Sequence, residues 1–210
     1  MTVLPRNPAQ NESAMPWETV AEMFRDPVLP EVVEPYQFVF DSPQVRASQE
    51  LANYALESFG KDMPLFAGAR DLTRRIFEDF KFDPKATTVA TPLEEVWQKR
   101  RGVCQDFAHL GIACLRSLGL PARYVSGYLR TRPPAGKLRL VGADASHAWF
   151  RIFCPGTGWV DFDPTNNVQP AEEHIIVAYG RDYGDVSPVA GILTGGGEHE
   201  VRVSVDVVEI

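Results

Sequence analysis

Residues 144–165 read DASHAWFRIFCPGTGWVDFDPT, two alternating runs that meet at a Pro-Gly-Thr-Gly turn. A side-chain period of two marks strands, so the stretch reads as a β-hairpin. Alternation puts His147, Trp149, Arg151 and Phe153 on one face of the first strand, and Trp159, Asp161 and Asp163 on one face of the second. Register then decides which of them meet. Pairing Cys154 with Trp159 sends Asp163 to the face opposite His147; a three-residue loop, 155–157, with Gly158 as a positive-φ bulge residue, brings both to one face. In that register Asp161 lies opposite Arg151, while Asp163 lies opposite Trp149 and diagonal to His147, at roughly 7 Å between Cα atoms. Asp163 is the carboxylate expected to orient His147, and Asp161 the one expected to pair with Arg151.

Forty residues upstream, residues 100–109 read RRGVCQDFAH. Phe107, Leu110, Cys114 and Leu118 recur at helical spacing after Cys104, and Gly119 followed by Pro121 stops the run. Cys104 thus stands at a helix start, where unpaired N–H groups and the positive dipole end favour a thiolate. Arg100 and Arg101 either add to that potential or are simply solvated. Read locally, Cys104 is equally a small buried apolar residue; Cys114 and Cys154 read as core. A cysteine on a helix N-terminus, a strand histidine and an acid behind the histidine form a nucleophile, base and orienter arrangement.

Further out, the first sixteen residues hold three prolines and read as a mobile leader, with the folded domain running from 17 to 210. A helix is predicted from Pro43, after a Ser42 cap, towards Phe59. A second is predicted from about Leu65 to Phe80, with Leu65, Ala69, Leu72, Ile76 and Phe80 on one stripe. Thr91, Pro92 and Glu94 predict the cap, first residue and capping-box acid of a short helix through Trp97 and Lys99, before Gly102 interrupts it. Beyond Pro121, strands are predicted over 124–129, 147–154, 159–163, 175–179 and 201–208, and the Gly195-Gly196-Gly197 run reads as a hairpin turn. Helices first and strands second, without alternation, predict an α+β fold with an antiparallel sheet.

Composition excludes several classes. The 210 residues carry a formal charge of −7, which leaves no basic field for nucleic acid or an anionic membrane. No apolar run is long enough for a signal peptide or a spanning helix, so a cytoplasmic location is expected. Three cysteines without CxxC spacing fit free thiols better than a disulfide framework or a zinc knuckle. No cofactor is called for. A metal site of His109 with Cys104 and His147 is disfavoured, because five residues along a helix turn His109 away from Cys104. His174 and His199 flank strands and read as surface residues.

The segments GVCQDFAHL, GLPARYVSGYL, SHAWFRIFCPGTGWVDFDPTNN and GRDYGDVSP resemble, in this order, the transglutaminase-like superfamily, and within it the bacterial members described as cysteine proteases. The resemblance spans about residues 42–210. It implies a papain-like α+β fold, with the cysteine helix packed on an antiparallel sheet, and a catalytic triad of Cys104, His147 and Asp163. Similar proteins carry a β-rich N-terminal domain, whereas about forty residues precede Ser42 here, which reads as a short form or a start that has been cut. Neither Trp97 nor any other tryptophan matches the oxyanion tryptophan of animal transglutaminases. Gln98 has the spacing of the papain-like oxyanion glutamine, yet also reads as a plain surface residue. The Cys104 N–H is the expected oxyanion donor.

The implied activity is acyl transfer through a thioester on Cys104, cleaving a peptide or amide bond. Two alternatives stand beside it: transamidation of protein glutamine, and a catalytically silent binding domain. A redox thiol protein is a weaker option, since no resolving cysteine lies close to Cys104. Arg181, Asp182, Tyr183 and Asp185 either line the substrate groove or form a loop held by its own ion pairs.

Overall fold

The computed structural model describes residues 14–130, 145–188, 191, 194–195 and 204–207. Among the described residues six α-helices and six strands follow one another as α1 (Trp17–Met23), α2 (Pro30–Tyr36), α3 (Gln49–Leu56), α4 (Leu65–Asp79), β1 (Lys81–Phe82), α5 (Leu93–Lys99), β2 (Arg101–Gly102), α6 (Cys104–Ser117), β3 (Ala122–Leu129), β4 (Ala145–Cys154), β5 (Gly158–Phe162) and β6 (His174–Gly180). The last four form an antiparallel sheet in the order β5-β4-β3-β6, and β1 and β2 make a two-residue parallel pair. This is the α+β arrangement expected from the order of elements.

The core centres on α6, which packs on β3 and β4 on the sheet side and on α3, α4 and α5 on the other. A helix enclosed in this way must be apolar on several faces, and every residue from Asp106 to Arg116 is buried. The α4 stripe meets it, with Leu65, Ala69, Leu72 and Ile76 fully buried. α6 ends in a Schellman turn: Leu120 N–H donates to the Leu115 carbonyl (3.0 Å), Gly119 N–H donates to that of Arg116 (2.9 Å), and Gly119 has φ of 76°.

Two expected boundaries move. No helix starts at Pro43: Ser42 and Val45 exchange backbone hydrogen bonds in a tight turn, the Asp182 carboxylate takes the Gln44 N–H, and Asp41 takes that of Ala47. Side-chain acceptors thus draw these residues into a loop, and the helix begins at Gln49 with Ser48 as its cap, accepting from Leu51 N–H at 3.2 Å. Likewise Thr91 does not cap α5; its hydroxyl accepts from Thr88 N–H instead, and Pro92 is the N-cap residue. α5 runs through Lys99 as expected, with Arg100 as its C-cap residue. Arg100 takes the left-handed conformation (φ 52°), and its guanidinium lies over the Trp97 ring, 3.7 Å from the centroid. Cation–π contact offsets part of the cost of that backbone conformation.

At the N-terminal edge, Met15 O accepts from Leu65 N–H and Pro16 bridges Pro64, so the chain is tied to α4 before α1 begins. Residues 1–13, the turn at Gly196-Gly197, His199 and half of the predicted strand over 201–208 lie outside the described residues, and the described half of that stretch, 204–207, is not in a strand. Among the described residues no helix is long and apolar enough to cross a membrane.

Candidate active site

Cys104 is the first residue of α6 and is partly exposed. The approach to it is clamped by β1 and the residue after it: Lys81 N–H donates to Arg100 O and Asp83 N–H to Gly102 O, at 2.8 and 2.9 Å. Val103, the N-cap residue, has no side-chain acceptor, so the helix start is closed from the other side. The Asp106 carboxylate accepts from Val103 N–H (2.8 Å) and from the Thr87 hydroxyl (2.6 Å). Burial pushes the Asp106 carboxyl up, and these two hydrogen bonds oppose the shift. Gly102 makes room for the arrangement, since a Cβ there would stand 2.6 Å from Asp106 Oδ2.

His147 and Asp163 come from the hairpin. Cys154 pairs with Gly158 and Arg151 with Asp161, the register of a three-residue turn, and Gly158 takes φ of 89°. Asp163 lies just past β5 and pairs with Val168, its N–H donating to the Val168 carbonyl at 2.9 Å. The result is a hydrogen bond of 2.8 Å between His147 Nε2 and Asp163 Oδ2. With Nε2 taken, Nδ1 is the ring nitrogen left to face Cys104, whose side chain is among the groups that raise the His147 imidazole. The structure thus joins His147 to Asp163 directly and brings Cys104 close enough to act on the His147 ring.

Electrostatics follow from this geometry. Burial disfavours a charged His147, but the hydrogen bonds and charges of Asp163 and Cys104 outweigh it and raise the imidazole to about 9. Burial also works against the Asp163 carboxylate, yet its donors hold it well below the usual carboxylate range. Asp161 has a different task. It accepts from Trp149 Nε1 (2.8 Å) and pairs with Arg151 Nε at 3.2 Å.

Two residues in the site were not singled out from sequence. Asn166 donates through Nδ2 to Asp163 Oδ2 (2.7 Å) and lies 3.3 Å from His147 Nε2. Its only signal was its place in the Asp-Pro-Thr-Asn turn. His174 is not the surface residue expected. Its Nε2 lies 3.0 Å from Asp163 Oδ2, and its side chain is 8% exposed. Alternation along β6 gave no hint, because the β3–β6 register shifts between Ser126 and Gly127. Ligand atoms of His147, Asp163 and His174 all lie within 4.8 Å of one another. Hydrogen bonds already join them, so a cation would have to displace the Nε2 protons.

The remaining candidates fall to structural roles. His109 is buried and accepts from Tyr183 N–H at 3.1 Å; burial, aided by Arg116 and opposed by Asp182, lowers it to about 4 and keeps it neutral. Cys114 and Cys154 are fully buried, and burial pushes the Cys114 thiol up to about 12. Arg181 pairs with Asp185 at 2.9 Å and Asp182 caps the turn through Gly184 N–H, while Gln44, His109 and Arg116 hydrogen-bond to the loop from other elements. Gln98 is exposed on the wall of a cavity of about 490 Å³ between α5 and residues 43–51. No residue of the Cys104–His147–Asp163 chain lines that cavity. It is tied to the site through Gln105, next to Cys104, whose amide donates to the carbonyl of the cavity-lining Val89.

Comparison with known proteins places this geometry. An uncharacterized Mycobacterium tuberculosis protein is 45% identical over 177 residues, covering 82% of this chain and 56% of the relative, so the chain spans about half the relative's length. A Pseudomonas aeruginosa protein-glutamine gamma-glutamyltransferase is 33% identical over 107 residues, 47% of this chain and 16% of that protein. The crystal structure of a Cytophaga hutchinsonii protein described as a candidate cysteine protease superposes with a TM-score of 0.61 at 31% identity, over 76% of this chain and 52% of the other. The fold is therefore the papain-like core found in transglutaminases. Residues 52–164 match the transglutaminase-like superfamily across both the α6 and hairpin segments, and the chain belongs to that superfamily.

Proposed function

We propose that the protein is a cysteine-nucleophile acyl-transfer enzyme that cleaves a peptide or amide bond, with Cys104 as nucleophile, His147 as acid and base, and Asp163 as orienter. The observation that carries the reading is the 2.8 Å hydrogen bond from His147 Nε2 to the buried Asp163, with Cys104 at the start of α6 acting on the same imidazole. The Cys104 sulfur attacks the carbonyl carbon, the oxyanion accepts from N–H groups at the start of α6, and His147 gives its proton to the leaving amine as the C–N bond breaks. A thioester remains. Water, deprotonated by His147, then attacks the thioester carbon; the acid leaves and the thiol is restored.

Transamidation follows the same first half, with an amine in place of water. The similarity to a protein-glutamine gamma-glutamyltransferase favours it as the second reading. A silent binding domain is disfavoured because all three positions are filled and His147 is hydrogen-bonded to Asp163. Three free thiols, two of them buried, accord with a reducing, cytoplasmic compartment. The test is a screen of peptide and amide libraries, with and without an added amine, on wild type and Cys104→Ala. Product formed by wild type alone supports the enzyme, and its partition between acid and amide chooses the acceptor. Equal signals from the two proteins overturn the reading.

A further inference from the structure

The Asp163 carboxylate gathers more hydrogen bonds than the orientation of one imidazole requires. Oδ1 accepts from the N–H groups of Thr165 (2.9 Å) and Asn166 (3.3 Å), both within its own turn. Oδ2 accepts from His147 Nε2, from Asn166 Nδ2 and from His174 Nε2, at 2.8, 2.7 and 3.0 Å. Four of these five bonds come from the turn or from His147. The fifth comes from β6, which is separated from β4 by the whole of β3.

The sheet is shaped to allow that reach. Gly127 of β3 lies opposite His147 on one side and Ile176 on the other, and the β3–β6 register shifts between Ser126 and Gly127. A Cβ at Gly127 would stand 2.6 Å from the Trp149 ring and 2.2 Å from the Ile175 carbonyl. With no side chain between them, the rings of His147 and His174 approach to 5.9 Å between centroids, and His174 meets the Trp149 ring edge-on at 5.2 Å.

We propose that His174 is a positioning residue, whose Nε2–H holds Asp163 Oδ2 in line with the His147 ring. The inference rests on the acyl-transfer reading for its catalytic consequence, and on the hydrogen bonds alone for its structural content. A carboxylate oxygen accepts, so Nε2 of His174 carries the proton and Nδ1 presents a lone pair. That Nδ1 is buried and makes no hydrogen bond among the described residues. A side chain present for packing alone would avoid such an orphaned acceptor, as a phenylalanine does; what histidine adds here is the donor. Since the backbone N–H groups hold Oδ1, the carboxylate pivots about that atom. Asn166 and His174 are the two donors besides His147 that locate Oδ2, and loss of His174 leaves Asn166 to draw it out of line.

Cys104 of α6, Asp163 beyond β5 and His174 of β6 are the titratable groups against or beside the His147 ring, with uncharged Asn166 and Trp149 next to them. The test compares wild type, His174→Phe, which keeps a ring against Trp149 but no donor, and His174→Gln, which puts an amide N–H near the Nε2 position. His174→Leu replaces the phenylalanine variant if that variant does not fold. NMR titration of the His147 ring in the folded proteins is expected to give a lower midpoint in His174→Phe and the wild-type midpoint in His174→Gln. Turnover is expected to fall about 10- to 100-fold in kcat for His174→Phe, with little change in KM, and to recover in His174→Gln. An unmoved or raised His147 midpoint in His174→Phe overturns the proposal, as does a folded His174→Gln that matches it. Because the NMR readout needs no substrate, a shifted midpoint without turnover in wild type would sustain His174 and remove the enzyme reading instead.

Discussion

Asp161 and Asp163 are two residues apart on one strand face, yet they receive opposite tasks. Asp161 faces the indole N–H and Arg151, whereas Asp163 is fully buried and faces His147. Asp163→Asn is expected to leave the hairpin intact by circular dichroism and to lower kcat by several orders of magnitude, up to about 10⁴-fold, since the amide no longer stabilises the imidazolium. Asp161→Asn keeps an acceptor for Trp149 and is expected to stay within a few-fold of wild type. A reversed ranking would move the orienting role to Asp161. The His147–Asp163 pair makes stability depend on pH. His147 is raised from 6.5 to about 9, so its contribution is fully present below about pH 6.5 and is lost as pH rises through about 9. The lowered Asp163 contributes above its unfolded value near 3.8, and that contribution disappears as pH falls through its depressed folded value. Melting temperature is expected to decline between pH 6.5 and 9 in wild type, and His147→Ala is expected to flatten that decline.

Among the elements, β3 carries the most stringent spatial demand, because both neighbouring strands bring a histidine to the same carboxylate. Gly127→Ala is expected to push the Trp149 ring and the Ile175 carbonyl outward, costing about 1–3 kcal/mol by urea unfolding. It should lower kcat as well, by separating His174 from Asp163. Gly119→Ala, which strains only the end of α6, is the control: a comparable loss of stability with kcat retained. Equal kcat in the two variants would show that the Gly127 site does not communicate with the histidines. The α6 helix was legible in sequence to within a residue, since its apolar spacing, glycine stop and following proline are local signals. The α3 start was not, because Asp182, far along the chain, takes a backbone N–H there.

Across the whole molecule, Arg116 links parts that sequence separates widely. Buried at the end of α6, it donates to the carbonyls of Phe38, Ala122 and Arg181 and to the Ser42 hydroxyl. Arg116→Met removes these donors and leaves buried carbonyls unpaired, with an expected loss of about 3–5 kcal/mol in chemical denaturation. Little loss would mean that water replaces the guanidinium. By itself the sequence determined the class of fold, the helix that presents Cys104, and the hairpin register that sets His147 beside Asp163. Each follows from short-range rules: helical spacing, strand alternation and the parity of a tight turn. Tertiary structure alone decided the place of His174, which reads as a strand-flanking surface residue until β6 is laid beside β3. It also decided the loop at 42–47 and the left-handed Arg100, where contacts outweigh local preference. No periodicity encodes which strand becomes whose neighbour; that depends on how the sheet and α6 bury their apolar faces together.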